Sequence, residues 1–173
     1  MKDLRGFLAE KVERNRDKPY LYFQDQVFTY GDVDRQCNRA ANAMLELGVK
    51  KADHVALVLP NCREWVFCWM GLAKIGAVTV AVNPQLKADG LAYALQQSDA
   101  SLAIVYQGAL GEYGKAALLL PDTRLVAFDL PSPCADDVGG RASLTLAKML
   151  AAAPTTEPPD AGLGGKDDFI IGF

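Results

Sequence analysis

The amino-acid sequence predicts an α/β fold: a doubly wound, mainly parallel sheet flanked by helices, with a short amino-terminal helix and hairpin in front of it. Three observations carry this. The runs HVALVLP, VTVAV, LAIVY and LVAF are apolar without alternation, as strands buried on both faces must be. They are separated by stretches long enough for helical crossovers, which parallel neighbours require and which are right-handed. The intervening segments also carry helix start and stop signals.

Taken in order, Leu4, Phe7, Leu8 and Val12 recur at helical spacing and predict an amphipathic helix near residues 3–15, ended by Asp17, Lys18 and Pro19. YLYF and VFTY, separated by Gln24, Asp25 and Gln26, predict a hairpin. Thr29 then opens a helix with Asp32 three residues on, the shorter-armed variant of a capping box. Its stripe is Val33, Cys37, Ala41, Met44 and Leu45, and Gly48 supplies a left-handed stop. After HVALVLP, Asn61 to Glu64 repeats the cap-plus-acid pattern, Cys62 to Ile75 is a helix apolar on most sides, and Gly76 ends it. VTVAV leads to a helix over Ala88 to Gln97, LAIVY to a helix over Ala109 to Leu120 stopped by Pro121, and then LVAF.

Beyond Phe128 the composition changes. PSPCADDVGGRAS is rich in Pro, Gly, Ser and Asp, Leu144 to Leu150 is a short helix, PTTEPPDAGLGGKDD is a linker, and FIIGF is strand-like. The expected organisation is an α/β subdomain over residues 1–130, a Pro/Gly-rich linker with a short helix over 131–167, and the start of a further strand over 168–173.

Half of the 173 residues are hydrophobic, enough for a real core. Eighteen basic against 21 acidic residues leave no basic stripe for nucleic acid or an anionic membrane. Cys37, Cys62, Cys68 and Cys134 show no paired spacing, and His54 is the single histidine, so neither a disulfide framework nor a metal site is expected. The start MKDLRGFLAEK interrupts its apolar residues with charges, unlike a secretion signal, and the run from Val66 to Ala73 is too short to cross a bilayer. The expectation is a soluble protein of a reducing, cytoplasmic compartment.

In an open parallel sheet, ligands bind past the carboxyl ends of the strands, at Pro60-Asn61, Asn83-Pro84, Gln107-Gly108 and Asp129. None of these loops is a dinucleotide fingerprint, because LVLPNC lacks glycines. GALGEYG has glycines at every third place and reads as a strand-to-helix turn. GLGGK lacks both the earlier glycine and the Ser or Thr of a phosphate loop. His54 reads as structural, Cys62 and Cys68 as small core residues, and Trp65, Phe67 and Trp69 as core packing, with an apolar ligand channel as the alternative.

The segment FTYGDVDRQCNRAANAMLELGVKKADHVALVLPNCREWVFCWMGLAKIGAVTVAVNPQL resembles the amino-terminal part of the acyl-CoA synthetases of the adenylate-forming (AMP-binding) superfamily. NCREWVFCWMGLAKIGA is most similar to the carnitine and crotonobetaine CoA ligase branch and its relatives. The resemblance covers about residues 20–106 and the ending, where an acid-led strand such as DDFIIGF runs, in that family, into a Ser/Thr/Gly-rich phosphate loop.

The resemblance implies the front piece of an ATP-dependent acyl-CoA synthetase, one that adenylates a carboxylic acid and transfers the acyl group to CoA with ATP, CoA and Mg2+. The phosphate loop, the magnesium-binding acid and the catalytic lysine of the family lie downstream. No catalytic or metal residue is therefore named here, the piece alone is expected to be inactive, and no tight cofactor binding by it is expected. One position is carried over: the family's Asn-Pro-Arg-Leu loop, whose arginine approaches the CoA phosphates, matches Asn83-Pro84-Gln85-Leu86-Lys87. Gln85 replaces the arginine, and Lys87 offers a point charge without its planar fork. The other class of function weighed is a free-standing α/β binding or assembly module built on the same fold. An edge left open at FIIGF predicts disorder, homo-dimerisation or edge pairing there.

Overall fold

The computed structural model describes residues 4–120, 124–128 and 145–173. The elements run α1 (Leu4–Asn15), β1 (Pro19–Phe23), β2 (Gln26–Thr29), α2 (Tyr30–Glu46), β3 (His54–Val58), α3 (Arg63–Lys74), β4 (Val78–Ala81), α4 (Ala88–Gln97), β5 (Leu102–Tyr106), α5 (Leu110–Ala116), β6 (Arg124–Phe128), α6 (Leu146–Ala152) and β7 (Ile170–Gly172). β1 and β2 form an antiparallel hairpin. The other five strands make one sheet in the order β6-β5-β3-β4-β7, and every neighbouring pair is parallel.

The period-2 geometry of a strand divides each central run between two cores. Val55 and Leu57 of β3, with Leu102 and Ile104 of β5, face Met44 of α2, Cys68 and Leu72 of α3 and Leu146 of α6. Ala56 and Val58, with Ala103 and Val105, face Leu91 and Leu95 of α4 and Tyr113 and Ala116 of α5. From β3 the chain goes to β4 on one side, then returns across β3 to β5 on the other. This is the predicted doubly wound arrangement.

Local chemistry explains most boundaries. The Thr29 hydroxyl accepts from the Asp32 amide at 3.1 Å, while Asp32 Oδ2 accepts from the Thr29 amide at 2.9 Å, so the capping box is present in full. Gly48 and Gly76 end α2 and α3 with φ of +80° and +73°. Two expectations are corrected. Asn61 does not cap α3: the cap is Cys62, with no side-chain bond, so Glu64 falls one place short of the third helical position that a capping box needs and bonds Arg63 instead. The helix expected over Ala109 to Leu120 shrinks to seven residues between two short 3-10 turns, Gln107–Ala109 and Ala117–Leu119. Gly111 and Gly114 each cost a helix roughly 1 kcal/mol relative to alanine. Pro121, Asp129 and Cys134 lie outside the described residues, as does PSPCADDVGGRAS.

FIIGF is not left unpaired. Residues 170–172 run along β4, the Thr79 amide donates to the Phe169 carbonyl, and the Phe173 amide donates to the Ala81 carbonyl, each at 3.0 Å. β7 is thus the edge of the sheet, with Phe169, Ile170 and Phe173 about 40% exposed.

α2 and α3 approach closely at Gly71. A Cβ on Gly71 would stand 2.8 Å from both the Ala40 Cβ and the Cys37 carbonyl, and 2.9 Å from the Ala41 nitrogen, two of which are backbone atoms that cannot turn aside. Gly71→Ala should therefore cost about 1–3 kcal/mol by overpacking. The urea midpoint should fall with the slope unchanged; an unchanged midpoint would refute the close contact.

Candidate functional site

Because the five strands are parallel, their carboxyl ends open on one side and the loops after β3, β4 and β5 share it. The loop after β4 is shaped by Asn83, whose Oδ1 accepts from the Gln85 amide at 2.9 Å. Lys87 stands at the start of α4, makes no side-chain cap, and its carbonyl accepts from the Leu91 amide. Gln85 and Lys87 are both exposed. The neighbouring Ala88 amide donates to Glu112 Oε2 of α5 at 3.0 Å, and Glu112 Oε1 accepts from Lys115 at 2.9 Å. The Lys115 bond first, then the Ala88 amide and the charges of Lys115 and Lys87, hold the Glu112 carboxyl below its ordinary range. Lys87 is therefore one of two lysines around a single carboxylate. Nothing local in the sequence announces this grouping, since Glu112 and Lys115 sit in a glycine-spaced turn some two dozen residues away.

After β3, a cavity of about 230 Å³ lies between the hairpin and the start of α3, lined by Leu21, Phe23, Asn61, Cys62, Arg63, Trp65 and Val66. Arg63 is held over the Phe28 ring at 5.7 Å and bonded to Gln26 and Glu64. Trp65 stacks at a tilt on Trp69, centroids 5.7 Å apart, and is the one member of the predicted trio on this cavity. Phe67 is core, edge-on to Phe28.

Several candidates fall away from this edge. His54 opens β3 at its opposite, amino end, where its Nδ1 bonds the Ser98 carbonyl. The GLGGK stretch is at that end too: Lys51 donates to the Gly162 carbonyl, and the Gly164 amide is taken by Asp167. Asp167 is held below its ordinary range by that amide and by Lys51. GALGEYG forms a 3-10 turn leading into α5, with Tyr106 folded over Gly108. Among the described residues, no group of three His, Cys, Asp or Glu is placed to hold a metal. No described helix is long and apolar enough to cross a membrane.

Away from the strand ends lies a buried cation, Lys74, 3% exposed at the end of α3. Its three N–H groups meet Asp34 Oδ1 at 2.6 Å, Asn38 Oδ1 at 2.7 Å and Glu157 Oε2 at 2.8 Å, so every donor is satisfied. In the sequence it is one charged residue near the end of a mostly apolar helix, with partners 36 to 83 residues away.

The architecture defines an open, doubly wound α/β platform, a class in which ligands bind at the carboxyl side of the parallel sheet. Residues 8–160 match the AMP-binding enzyme family, and the chain belongs to it. Over 93 residues it is 45% identical to the crotonobetaine/carnitine–CoA ligase of Salmonella arizonae, covering 51% of this chain and 18% of that protein. Over 107 residues it is 40% identical to the corresponding ligase of Salmonella paratyphi A, covering 59% and 21%. The chain thus spans about a fifth of the length of these curated relatives. Among solved structures, the N-terminal domain of FACL13 from Mycobacterium tuberculosis superposes with a TM-score of 0.81 at 26% identity, over 99% of this chain and 41% of that one. The anthranilate CoA ligase AuaEII, solved with anthranoyl-AMP, shares the fold at a TM-score of 0.78 and 24% identity, over 97% of this chain and 30% of that one.

The described cysteines, Cys37, Cys62 and Cys68, are free and buried. Burial pushes the Cys37 thiol up to about 12 and the Cys62 thiol up to about 11 from an ordinary 9.0, and raises Cys68 as well. These groups keep their protons in the folded state after the unfolded chain has lost them. Their contribution is therefore complete below about pH 9 and is lost as pH rises toward 11 and 12. Native labelling by a thiol reagent at pH 8 should be at least tenfold slower for these three than in urea; equal rates would contradict their burial.

Proposed function

We propose that this chain is the amino-terminal part of an ATP-dependent acid–thiol ligase, an acyl-CoA synthetase. The observation that carries the reading is the family match over residues 8–160 on a sheet of the same fold, with CoA ligases among the named relatives. In such a reaction a substrate carboxylate attacks the α-phosphate of ATP, releasing pyrophosphate and forming an acyl-adenylate. The CoA thiolate then displaces AMP to give the thioester.

This chain's part is architectural: residues 1–130 form the α/β subdomain, 131–167 the connecting segment, and 168–173 the strand that leads to the phosphate loop. We assign the residues that hold Mg2+ and the triphosphate to the rest of the protein, as the family likeness implies. The setting of the reaction is cytoplasmic, in keeping with three free, protonated thiols.

At the shared edge, Lys87 and Gln85 are placed beside the CoA phosphates. Lys87 supports this by its exposure, its lack of an ion pair within the described residues, and its position at the start of α4 beside Lys115. Gln85 contributes a neutral amide where a guanidinium would pair charge, so the contact is weaker than a bidentate one.

Acid-dependent exchange of labelled pyrophosphate into ATP should be present in the full-length protein and absent from residues 1–173 alone. Exchange by the short piece would contradict the division of labour, and its absence from the full-length protein with any carboxylic acid would favour a binding module. In the full-length enzyme, Lys87→Ala should raise the KM for CoA about fivefold, about 1 kcal/mol, with the KM for ATP unchanged. An unchanged KM for CoA would remove Lys87 from the site.

A further inference from the structure

From Ala153 to Phe169 the chain has no helix or strand, yet it is fastened to the body at nearly every residue of its first half. Five carbonyls in the stretch Pro154 to Pro159 accept from side chains. Asn42 Nδ2 donates to Pro154 and Thr156, Asn38 Nδ2 to Thr155, and Arg5 to Pro158 and Pro159, at 2.6–3.0 Å. The remaining residue, Glu157, gives one carboxylate oxygen to Lys74 and the other to Arg5. The chemistry is one-sided. Three of these six residues are prolines, which have a carbonyl but no N–H, and all the partners are donors. Further on, Leu163 packs over Gly76, where a Cβ would meet it at 2.5 Å, and Lys51 pairs with Asp167 at 2.9 Å. Three residues later β7 begins.

β7 has little of its own to fix its place. It pairs over three residues, Thr79 with Ile170, Val80 with Ile171 and Ala81 with Gly172. Register is normally set by which side chain must face the core. In Phe169-Ile170-Ile171-Gly172-Phe173, a slip of one residue puts one isoleucine where another was. For the slip that brings Ile170 to the half-buried place of Ile171, the apolar pattern does not distinguish the two registers, so something outside the strand must.

We propose that the Pro154–Pro159 strap, locked by the buried Lys74 ammonium at Glu157, is the clamp that sets β7 on β4, and that Lys74 is thereby a positioning residue for the adenylation step. The positioning role rests on the ligase reading; the clamp does not. Lys74 suits the task because its three N–H groups point to α2 through Asp34 and Asn38 and to the strap through Glu157, tying three segments at one point. It lies 83 residues from Glu157 and four residues before β4, so it couples the strap directly to the strand that β7 must meet.

The test is hydrogen exchange by mass spectrometry on the full-length protein, comparing wild type with Lys74→Met and, because a buried substitution can prevent folding, with Asn42→Ala. Peptides covering residues 76–82 and 168–173 should exchange at least tenfold faster in both variants, while peptides covering β3 and β5 stay as in wild type. In Lys74→Met the KM for ATP in pyrophosphate exchange should rise at least fivefold while the KM for the acid is unchanged. Wild-type exchange at β7 in both variants, or equal acceleration across the whole sheet, overturns the clamp. A loosened β7 with a wild-type KM for ATP overturns the positioning role. Should the wild-type protein catalyse no pyrophosphate exchange, the ligase reading fails with it, and the amide exchange still decides the clamp.

Discussion

The strands at the centre of this sheet have no polar face, and most of the architecture follows from that. A half-buried strand can rest one side on a core and give the other to water, but HVALV and LAIVY are buried on both, with Val55, Ala56, Leu57, Ala103, Ile104 and Val105 fully inaccessible. Helices must therefore cover both faces, and the connections must be crossovers. Side-chain size then sorts the faces. β3 and β5 send Val55, Leu57, Leu102 and Ile104 toward the side where α2 and α3 meet closely through Ala40, Ala41 and Gly71. Toward α4 and α5 the strands offer the smaller set Ala56, Val58, Ala103 and Val105, and more of the bulk is supplied by Leu91, Leu95 and Tyr113.

The same constraint decides where chemistry can be done. With every strand pointing one way, one end of the sheet collects the loops that follow strands, and the other collects those that precede them. His54 and the GLGGK stretch sit at the amino ends, away from the edge at which open parallel sheets bind ligands. At the carboxyl ends are the Asn83-to-Lys87 loop, the Glu112–Lys115 pair and the Trp65 cavity. Their polar equipment is sparse, consistent with a chain that covers about a fifth of its curated relatives.

How much was legible in the sequence depended on the range of the interaction concerned. The bounds of α4 and β5 and the capping box at Thr29 could be read directly, because each is set by residues within a few places of one another. The α3 cap failed by a single residue, since Asn61 and Cys62 are both plausible starts and only the packing of the helix chooses between them. The helix after β5 was read too long because its apolar residues outweighed two glycines in the pattern, although not in the folded chain. PTTEPPDAGLGGKDD reads as a featureless tether for a different reason: its partners Arg5, Asn38, Asn42 and Lys74 are 83 to 154 residues away, and apart from the Glu157 carboxylate the atoms they bind are backbone carbonyls, which sequence does not distinguish. Lys87 and Gln85 were found by likeness to a family motif, while Glu112 and Lys115 beside Lys87 came only from the fold.

The buried ammonium also shows why stability and specification must be kept apart. Withdrawing one charge from water costs several kcal/mol even after relaxation, and a well-packed apolar cluster in the same volume is often as stable or more so. Lys74 therefore adds little to the free energy of folding beyond offsetting its own desolvation through Asp34, Asn38 and Glu157. What an apolar cluster lacks is direction. Leucine in its place would pack against Leu, Ile or Met from any strap lying nearby, whereas an ammonium with two donors committed to α2 donates to one carboxylate oxygen in one place. Arg5 applies the same demand from the other side of Glu157, and the carbonyls on either side of that residue fall to Asn42, Asn38 and Arg5. A segment that is half proline, and so cannot pair its own amides into a strand or helix, is in this way given a single path across α1, α2 and α3.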